Sequence, residues 1–258
     1  MTSKNRLHSV ALALLGSASL LIGWQLIISV GLVSEASIPQ PLAVLRALPT
    51  LLTDADFLSG AADTVTSWMT TVVLGSLAAV SIGLVTSSIP FLRRPTSVAV
   101  NTFRSVPATA LIPVGIVLFG LGSQMKIAIA FYAIFWPILI NTVYGVAATE
   151  PMRIDAARSM RWPWWRRQVF VILPSAIPSI LTGIRIATGV GLIVIISTEL
   201  LGARTGVGTV LVQYTQAFRP DVVYAGVLLL GVFGAVLFGL MVRGERRLVK
   251  WAPAGQTT

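Results

Sequence analysis

The sequence has 258 residues, of which 55% are hydrophobic and 11% are charged, and its mean hydropathy is +0.85. Soluble domains carry about a quarter charged residues, so this composition excludes an ordinary soluble enzyme and predicts a membrane protein. The net charge of +10 lies in short basic clusters between apolar runs, which indicates membrane topology rather than nucleic-acid binding. The absence of cysteine excludes disulfides, thiolate metal sites and cysteine nucleophiles.

Six apolar segments, each long enough to cross a bilayer, follow one another along the chain. They are predicted at about 9–31, 63–88, 97–120, 125–147, 175–198 and 222–242. The first follows Lys4 and Arg6 and has no clear cleavage site, so we expect a retained helix rather than a signal peptide. Residues 32–62 contain prolines and acidic residues, which predict an irregular extracytoplasmic loop with a short interfacial helix. The sequence thus predicts an all-α, polytopic bundle of about six transmembrane helices.

Basic residues occur in alternate connections between these segments. They precede the first segment, separate the second from the third, and recur in 148–174 and in the tail 243–258. By the positive-inside rule these stretches, together with residues 1–8, are cytoplasmic. The predicted organisation is therefore a first helix, an external loop, a five-helix core over 63–242 with a long cytoplasmic loop at 148–174, and a cytoplasmic tail.

The long cytoplasmic loop contains an ordered pattern of small and apolar residues. Asp155-Ala156-Ala157 is followed after three residues by Arg161, and after nine more by Val171-Ile172-Leu173-Pro174. This pattern resembles the EAA motif of the binding-protein-dependent transport inner-membrane component family of ABC importers. The family pattern is Glu-Ala-Ala, three residues, Gly, nine residues and Ile-x-Leu-Pro. Here Asp replaces Glu, Arg161 replaces the glycine and Val171 replaces the isoleucine.

The resemblance extends over about residues 60–245. Matching stretches include Arg104-Ser105-Val106-Pro107, Phe119-Gly120-Leu121-Gly122, Lys126-Ile127, Phe135-Trp136-Pro137-Ile138 and Glu199-Leu200-Leu201-Gly202. They are similar to the nitrate, taurine and sulfonate branch of the family. The resemblance implies a multi-pass permease of the bacterial inner membrane that forms a homodimer, docks two ABC ATPase subunits and receives a small polar or anionic solute from an extracytoplasmic binding protein.

The resemblance also implies which loop residues transmit force from the ATPase. The coupling residues are Asp155, Ala156, Ala157, Arg158, Arg161, Pro163, Leu173 and Pro174. Small side chains at Ala156 and Ala157 allow close approach to a groove on the partner. In the family the glycine breaks the loop into two short helices that lie roughly parallel to the membrane. Because arginine breaks a helix less readily, we expect Pro163 to supply the break here.

This chain lacks the residues that ATP hydrolysis needs. Its only lysines are Lys4, Lys126 and Lys250, none of them in a Gly-x4-Gly-Lys-Ser/Thr loop, and His8 is its only histidine. No nucleophile and base occur in a catalytic arrangement. We therefore expect a non-enzymatic subunit without a cofactor of its own, with ATP and Mg²⁺ bound by the partner ATPase.

A few polar or aromatic residues in the apolar segments are candidates for the translocation path. They are Ser105, Gln124, Trp136, Asn141, Arg185 and Glu199. Arg185, about a third of the way into the fifth segment, requires a partner, a water-filled cavity or a snorkelling path to the interface. Glu199 is interpreted as a gate, a contact for the binding protein or a solvated helix end. Ionisable residues look rare at membrane depth, which disfavours a proton-coupled secondary transporter; that class and a non-transporting scaffold are the alternatives.

Overall fold

The computed structural model describes the backbone of residues 3–35 and 37–248, and every regular element in these ranges is a helix. The α-helices are α1 Ser3–Ser29, α2 Pro41–Thr53, α3 Ala55–Ser88, α4 Pro90–Phe103, α5 Ile112–Phe119, α6 Ser123–Ala147, α7 Pro151–Ser159, α8 Trp164–Arg167, α9 Leu173–Leu201, α10 Val207–Gln216 and α11 Pro220–Leu248. A 3₁₀ turn, Ala108–Leu111, precedes α5, and a π-helical turn, Gln168–Ile172, joins α8 to α9. The all-α class predicted from composition is confirmed.

Four described helical segments are long and apolar enough to cross a membrane. They are Ala55–Ser88, Ser123–Ala147, Trp164–Leu201 and Pro220–Glu245. A fifth crossing is possible as a broken span, because Arg94–Phe103 and Ala108–Phe119 pass the same test together but meet at 76°. These segments correspond to the second to sixth predicted ones. The part of α1 described in full, Ala18–Ser29, is too short to test a span, so a sixth crossing stays a prediction.

Two connections between the predicted segments contain helix, and a short helix was expected in the first of them. Within 32–62, α2 buries Val44, Ala47 and Leu51, whose spacing of three and four residues places them on one face. The next helix, α3, begins at Ala55 rather than near 63, because the Asp54 carboxylate accepts the N–H groups of its first turn. Within 199–221 the structure has α10, which the sequence analysis did not predict.

The described chain divides into two compact units. The first comprises residues 1–58 and 210–231, and the second comprises 59–209 and 232–258. In the first unit the Tyr214 hydroxyl donates a hydrogen bond to Asp54, and the rings of Trp24 and Tyr224 lie 6.1 Å apart. The second unit contains most of the spanning helices and all of the candidate site residues.

The core of the second unit is the packed pair α6 and α9. Glycines let the two helices approach closely: a Cβ on Gly183 would lie 2.7 Å from Cβ of Asn141, and one on Gly145 would lie 2.8 Å from Cβ of Ser179. Small residues at helix crossings are typical of membrane bundles, where close packing replaces the hydrophobic effect as the driving force. The indole of Trp68 on α3 donates to the Thr188 carbonyl of α9 at 3.0 Å, which ties a third helix to this pair.

The break in the third span follows from its prolines. Pro107 takes an extended conformation at the start of the 3₁₀ turn, and a residue before proline is also disfavoured in helical geometry. Residues 104–107 therefore interrupt the helix between α4 and α5. Pro137, by contrast, lies inside α6 without ending it.

Candidate functional site

The loop after α6 folds as a helix, a tight turn and a second helix. At the end of α7 the N–H of Arg161 binds the carbonyl of Arg158 at 2.8 Å, and the N–H of Trp162 binds that of Ala157 at 3.1 Å. This pair of bonds is the Schellman motif, which requires a left-handed residue at its turn. That residue is Arg161, with φ of +55°.

The expectation that Pro163 replaces the motif glycine is wrong. Arg161 itself adopts the left-handed conformation that glycine adopts at low cost, whereas for an L-residue it costs about 1 kcal/mol. Pro163 has φ of −62° and ψ of 157° and caps the start of α8. The proline therefore defines where the next helix begins, and the arginine ends the preceding one.

The two motif alanines have different environments. Ala157 is 1% exposed and packs within its own chain, whereas the neighbouring Ala156 is exposed. Ala157 therefore packs inside its own chain, and close approach to a partner stays a prediction for Ala156 alone. Beside them, Arg158 donates to the Asp155 carboxylate at 3.1 Å, and both side chains of this pair are about two-thirds exposed, at 63% and 66%.

The second helix of the loop is not a separate short element. Residues Trp164–Leu201 form one continuous helical segment of 38 residues, which at 1.5 Å per residue is about 57 Å long. Leu173 and Pro174 occupy the first turn of α9, directly after the π turn. The expectation of two short helices is thus corrected for the second one: α8 continues through the π turn into α9.

A buried cluster of charges lies at the far end of α9. The Lys126 ammonium binds Asp63 at 2.6 Å, Glu199 at 2.9 Å and the Thr205 carbonyl at 3.0 Å. The side chains of Lys126 and Glu199 are 0% exposed and that of Asp63 is 30% exposed. We call Asp63, Lys126 and Glu199 the charge clamp, because they join α3, α6 and α9.

Neighbouring groups saturate the buried carboxylate of the charge clamp. The hydroxyl of Thr64 lies 2.8 Å from one oxygen of Glu199, and the N–H of Gly208 donates to the other at 3.0 Å. Gly206 has φ of +122°, and a Cβ there would lie 2.1 Å from the carboxylate. Position 206 therefore has no room for a side chain, and the polar atoms around the Glu199 carboxylate are held in one arrangement.

One expectation about charged residues is corrected here. Glu199 is a buried ion-pair partner rather than a solvated helix end. The sequence analysis did not assign a role to Asp63 or Lys126. A signal existed: in the predicted alternation both residues lie at the outer ends of spans, as Glu199 does, but topology alone does not say which helices are neighbours.

Arg185 also has a partner. Its guanidinium binds Glu245 near the end of α11 at 2.9 Å, with side-chain exposures of 19% and 6%. The hydroxyl of Thr182 lies 3.4 Å from the same carboxylate. Of the three possibilities for this arginine, the structure selects an ion-pair partner.

The structure does not gather the candidate path residues into one site. Gln124 is exposed, and the hydroxyl of exposed Ser105 donates to the Thr102 carbonyl at 2.6 Å. The Asn141 amide donates to the Pro137 carbonyl at 2.8 Å, and its Cβ packs against Gly183. Asn141 therefore packs between α6 and α9. The Ser105 hydroxyl is used in a hydrogen bond to the last turn of α4.

Trp136 is a path candidate that lines a cavity. The cavity has a volume of about 300 Å³ and lies beside the break in the third span, where Arg104 also lines it. The Trp136 ring stacks on Phe103 with centroids 5.3 Å apart. Its indole nitrogen is buried without a hydrogen-bond partner among the described residues, a state that costs roughly 1–3 kcal/mol.

Comparisons with known proteins agree with this architecture. Residues 71–250 match the model of the family described as binding-protein-dependent transport system inner membrane component. The taurine transport system permease protein TauC of Escherichia coli (strain K12) is 32% identical, over 95% of this chain and 90% of that protein. The bicarbonate transport system permease protein CmpB of Synechocystis (strain PCC 6803) is 30% identical, over 93% of this chain and 88% of that protein.

Solved structures show the same fold at lower identity. A transporter for import of the acidic polysaccharide alginate has a chain that matches with a TM-score of 0.69 and 15% identity, over 95% of this chain and 97% of that one. The inward-facing methionine transporter MetNI matches with a TM-score of 0.62 and 21% identity, over 83% of this chain and 98% of that one. The chain therefore belongs to the binding-protein-dependent transport system inner membrane component family and is a multi-pass membrane permease subunit of an ABC importer.

Proposed function

We propose that this permease imports a small organic anion that an extracytoplasmic binding protein delivers, and that separate ATPase subunits drive the import. Its relatives are named for taurine, aliphatic sulfonates and bicarbonate, whose common feature is a compact oxyanion group. Two copies of the chain would form the pathway, each docked to one ATPase that binds ATP and Mg²⁺. Both termini and the loop 148–174 would face the cytoplasm.

The observation that carries this proposal is the continuous connection between the exposed loop and the fifth span. The turn at Arg161 ends α7, and α8 continues through the π turn into α9. A cavity of about 420 Å³ beside α7 is lined by Asp155 and Arg158 together with Ser87 and Val146 near the ends of α3 and α6. This depression offers a partner both a charged rim and space for a side chain.

The arrangement suggests how ATPase closure moves the membrane part. The loop lies at one end of the helix, the Arg185–Glu245 pair lies along it, and the charge clamp holds the other end. If the ATPases draw two coupling loops together, each α9 would tilt about its clamped end. The π turn, a geometry often found at functional sites, is the place where that helix can change its bend.

Docking is tested with a charged substitution at the exposed alanine. We expect Ala156→Glu to lower co-purification of the ATPase and solute uptake at least tenfold, with an unchanged unfolding temperature, because Ala156 is exposed. Ala55→Glu, an equal change at an exposed position at the start of α3, is the control and should leave both unchanged. Wild-type uptake and co-purification in Ala156→Glu would contradict docking at α7.

Orientation is tested by cysteine labelling in this cysteine-free chain. Cysteines placed at Ser34 and Gln216 should react with an impermeant thiol reagent from outside, and those at Ser97 and Ser159 should react only after permeabilisation. All four positions are exposed. External labelling at Ser159 would overturn the orientation, and failure of two differently tagged copies to co-purify would overturn the homodimer.

A further inference from the structure

Large apolar side chains lie at the surface where the helical segment 164–201 begins. Four of them have exposed fractions between 47% and 59%: Trp164, Trp165, Val169 and Phe170. The guanidinium of Arg166 lies over the face of the Trp162 ring, 4.5 Å from its centroid, and that ring makes an edge contact with Phe170 at 6.3 Å. This cation–π contact holds a positive charge beside the exposed rings. We call Trp164, Trp165, Arg166, Val169 and Phe170 the aromatic face.

The length of the segment indicates where the aromatic face lies in the membrane. Its 38 residues extend for about 57 Å, whereas the hydrocarbon core of a bilayer is about 30 Å thick and the whole bilayer about 40–45 Å. One end of the segment must therefore lie among the headgroups. Arg166 and Arg167 identify that end, because basic residues and tryptophan are enriched there. The aromatic face is thus at the level of the lipid phosphates.

A groove of about 120 Å³ lies between the aromatic face and the end of α3. Its apolar walls are formed by Leu84, Val85, Trp164, Val169 and Leu173. The hydroxyl of Ser88, which also lines the groove, donates to the Leu84 carbonyl at 2.6 Å and is thus used within α3. No carboxylate is among the described residues that line it. This lining matches part of a hydrocarbon chain rather than a polar solute.

The positive charge of the aromatic face is not neutralised by the helix that carries it. Between Asp155 and Glu199 the sequence contains no acidic residue, and Glu199 is bound in the charge clamp at the far end of the segment. An anionic group at Arg166 would neutralise this charge. A soluble ATPase matches the surface less well, because the opposite wall of the groove, Leu84 and Val85, belongs to the spanning helix α3.

We propose that the aromatic face binds an anionic phospholipid, whose phosphate contacts Arg166 and one of whose acyl chains enters the groove. Basic residues beside a spanning helix attract anionic headgroups, and the exposed rings cover the adjoining part of the lipid. The bound lipid holds the junction between the loop and the fifth span at the membrane surface. Such binding depends neither on the proposed solute nor on docking of the ATPase.

The experiment measures the unfolding temperature of the full chain, without the ATPase, in phosphatidylcholine nanodiscs that contain a rising fraction of phosphatidylglycerol. Phosphatidylglycerol should raise the unfolding temperature in a saturable way, because a ligand that binds only the folded state stabilises it. Glycerol 1-phosphate added to pure phosphatidylcholine nanodiscs supplies the phosphate without acyl chains and should give no shift.

Substitutions on the aromatic face test its charge and its apolar surface separately. Arg166→Gln should raise the half-saturating fraction of phosphatidylglycerol about fivefold, and Arg166→Lys should raise it less, because lysine keeps the charge. Trp164→Ala removes part of the groove wall and should raise the same fraction by about 2- to 10-fold. The controls, Arg94→Gln and Phe91→Ala, remove an exposed cation and an exposed ring from α4 and should titrate as wild type does.

An unfolding temperature that does not change with the phosphatidylglycerol fraction would overturn the lipid site. So would wild-type titration by Arg166→Gln or by Trp164→Ala, or an equal loss in the two controls. If Arg166→Gln titrates as wild type but no longer co-purifies with the ATPase, the aromatic face is part of the ATPase contact instead. Ala156→Glu should bind phosphatidylglycerol as wild type does, so failure of docking and failure of the lipid site are distinguishable.

Discussion

The two ends of the long helical segment 164–201 differ in how they hold charged side chains. At the Glu199 end, a carboxylate and an ammonium with 0% exposure bind each other and a second carboxylate. Before the other end, in the preceding helix α7, both side chains of the Asp155–Arg158 pair are exposed to solvent. The same chemistry therefore occurs once as a buried clamp and once as a surface pair.

This difference separates an ion pair that is held in one geometry from an ion pair whose members can exchange partners. Breaking a buried pair leaves an unpaired charge and costs several kcal/mol, so it strongly favours one geometry. An exposed pair contributes about 0–1 kcal/mol, so Asp155 and Arg158 can give up each other for a partner protein at little cost. The clamped end is suited to act as a pivot, and the exposed end to act as a dock.

The largest effect should come from removing the cation of the charge clamp. Lys126→Met leaves Glu199 buried without its ammonium and should lower the free energy of unfolding by about 3–5 kcal/mol. The double variant Lys126→Met with Glu199→Gln should recover part of this loss. Arg158→Gln is the surface counterpart and should change stability by about 0.5 kcal/mol or less. Thermal unfolding in detergent measures all three, and a Lys126→Met variant as stable as Arg158→Gln would refute the clamp.

A smaller loss is expected at the ion pair along the helix. Arg185→Leu leaves the nearly buried Glu245 carboxylate unpaired and should cost about 2–3 kcal/mol, whereas Arg185→Lys should cost less. Combining Arg185→Leu with Glu245→Leu should restore most of the stability. Uptake by the double variant is the decisive measurement: normal uptake makes the pair structural, and lost uptake at restored stability would give Arg185 a role on the pathway.

The turn between α7 and α8 contains one position, Arg161, at which a substitution should stabilise the protein. Arg161→Gly should raise the free energy of unfolding by about 1 kcal/mol, because glycine adopts the left-handed conformation without strain. Pro163→Ala should lower it by about 0.4–1 kcal/mol, because the proline restricts the unfolded chain. The two effects should add in the double variant. Destabilisation by Arg161→Gly would show that the arginine side chain stabilises the turn by its own contacts.

The smallest effect concerns a partly buried hydrogen bond in the first unit. The Tyr214 hydroxyl that donates to Asp54 lowers the pKa of that carboxyl below 3.8, and the same bond raises the pKa of Tyr214 above 10.0. The lowered carboxyl pKa gives stability that is present above pH 3.8 and lost in more acidic solution. The raised hydroxyl pKa gives stability that is present below pH 10.0 and lost in more alkaline solution.

Tyr214→Phe should therefore cost roughly 0.5 kcal/mol between these limits and nothing outside them. Unfolding midpoints measured at acidic, neutral and alkaline pH test this window. A difference between wild type and Tyr214→Phe that does not depend on pH would show that the phenol ring, rather than its hydroxyl, makes the contribution.

Much of the fold could be predicted because the hydropathy of a segment depends only on its own consecutive residues. The second, fourth, fifth and sixth predicted segments each coincide with a single helical segment, although α3 begins eight residues early. The helical connection α10 was missed, because short amphipathic helices leave only a weak pattern next to strongly apolar spans. The loop motif was recognised by its resemblance to the EAA pattern, and the position of the family's glycine in that pattern is the left-handed turn at Arg161.

The candidate sites were less predictable, because they depend on which side chains meet. Lys126 binds carboxylates that lie 63 and 73 residues away in the chain, and Arg185 binds Glu245, which is 60 residues away. Which of two adjacent alanines is exposed depends on packing within the loop. By itself the sequence determined the membrane class and the order of the spans, which follow from local composition, and it indicated the family through the resemblance of its motifs. Only the tertiary structure decided which charges are paired, which donor stays unpartnered and where a cavity opens, because those properties arise from distances between helices that are remote in the chain.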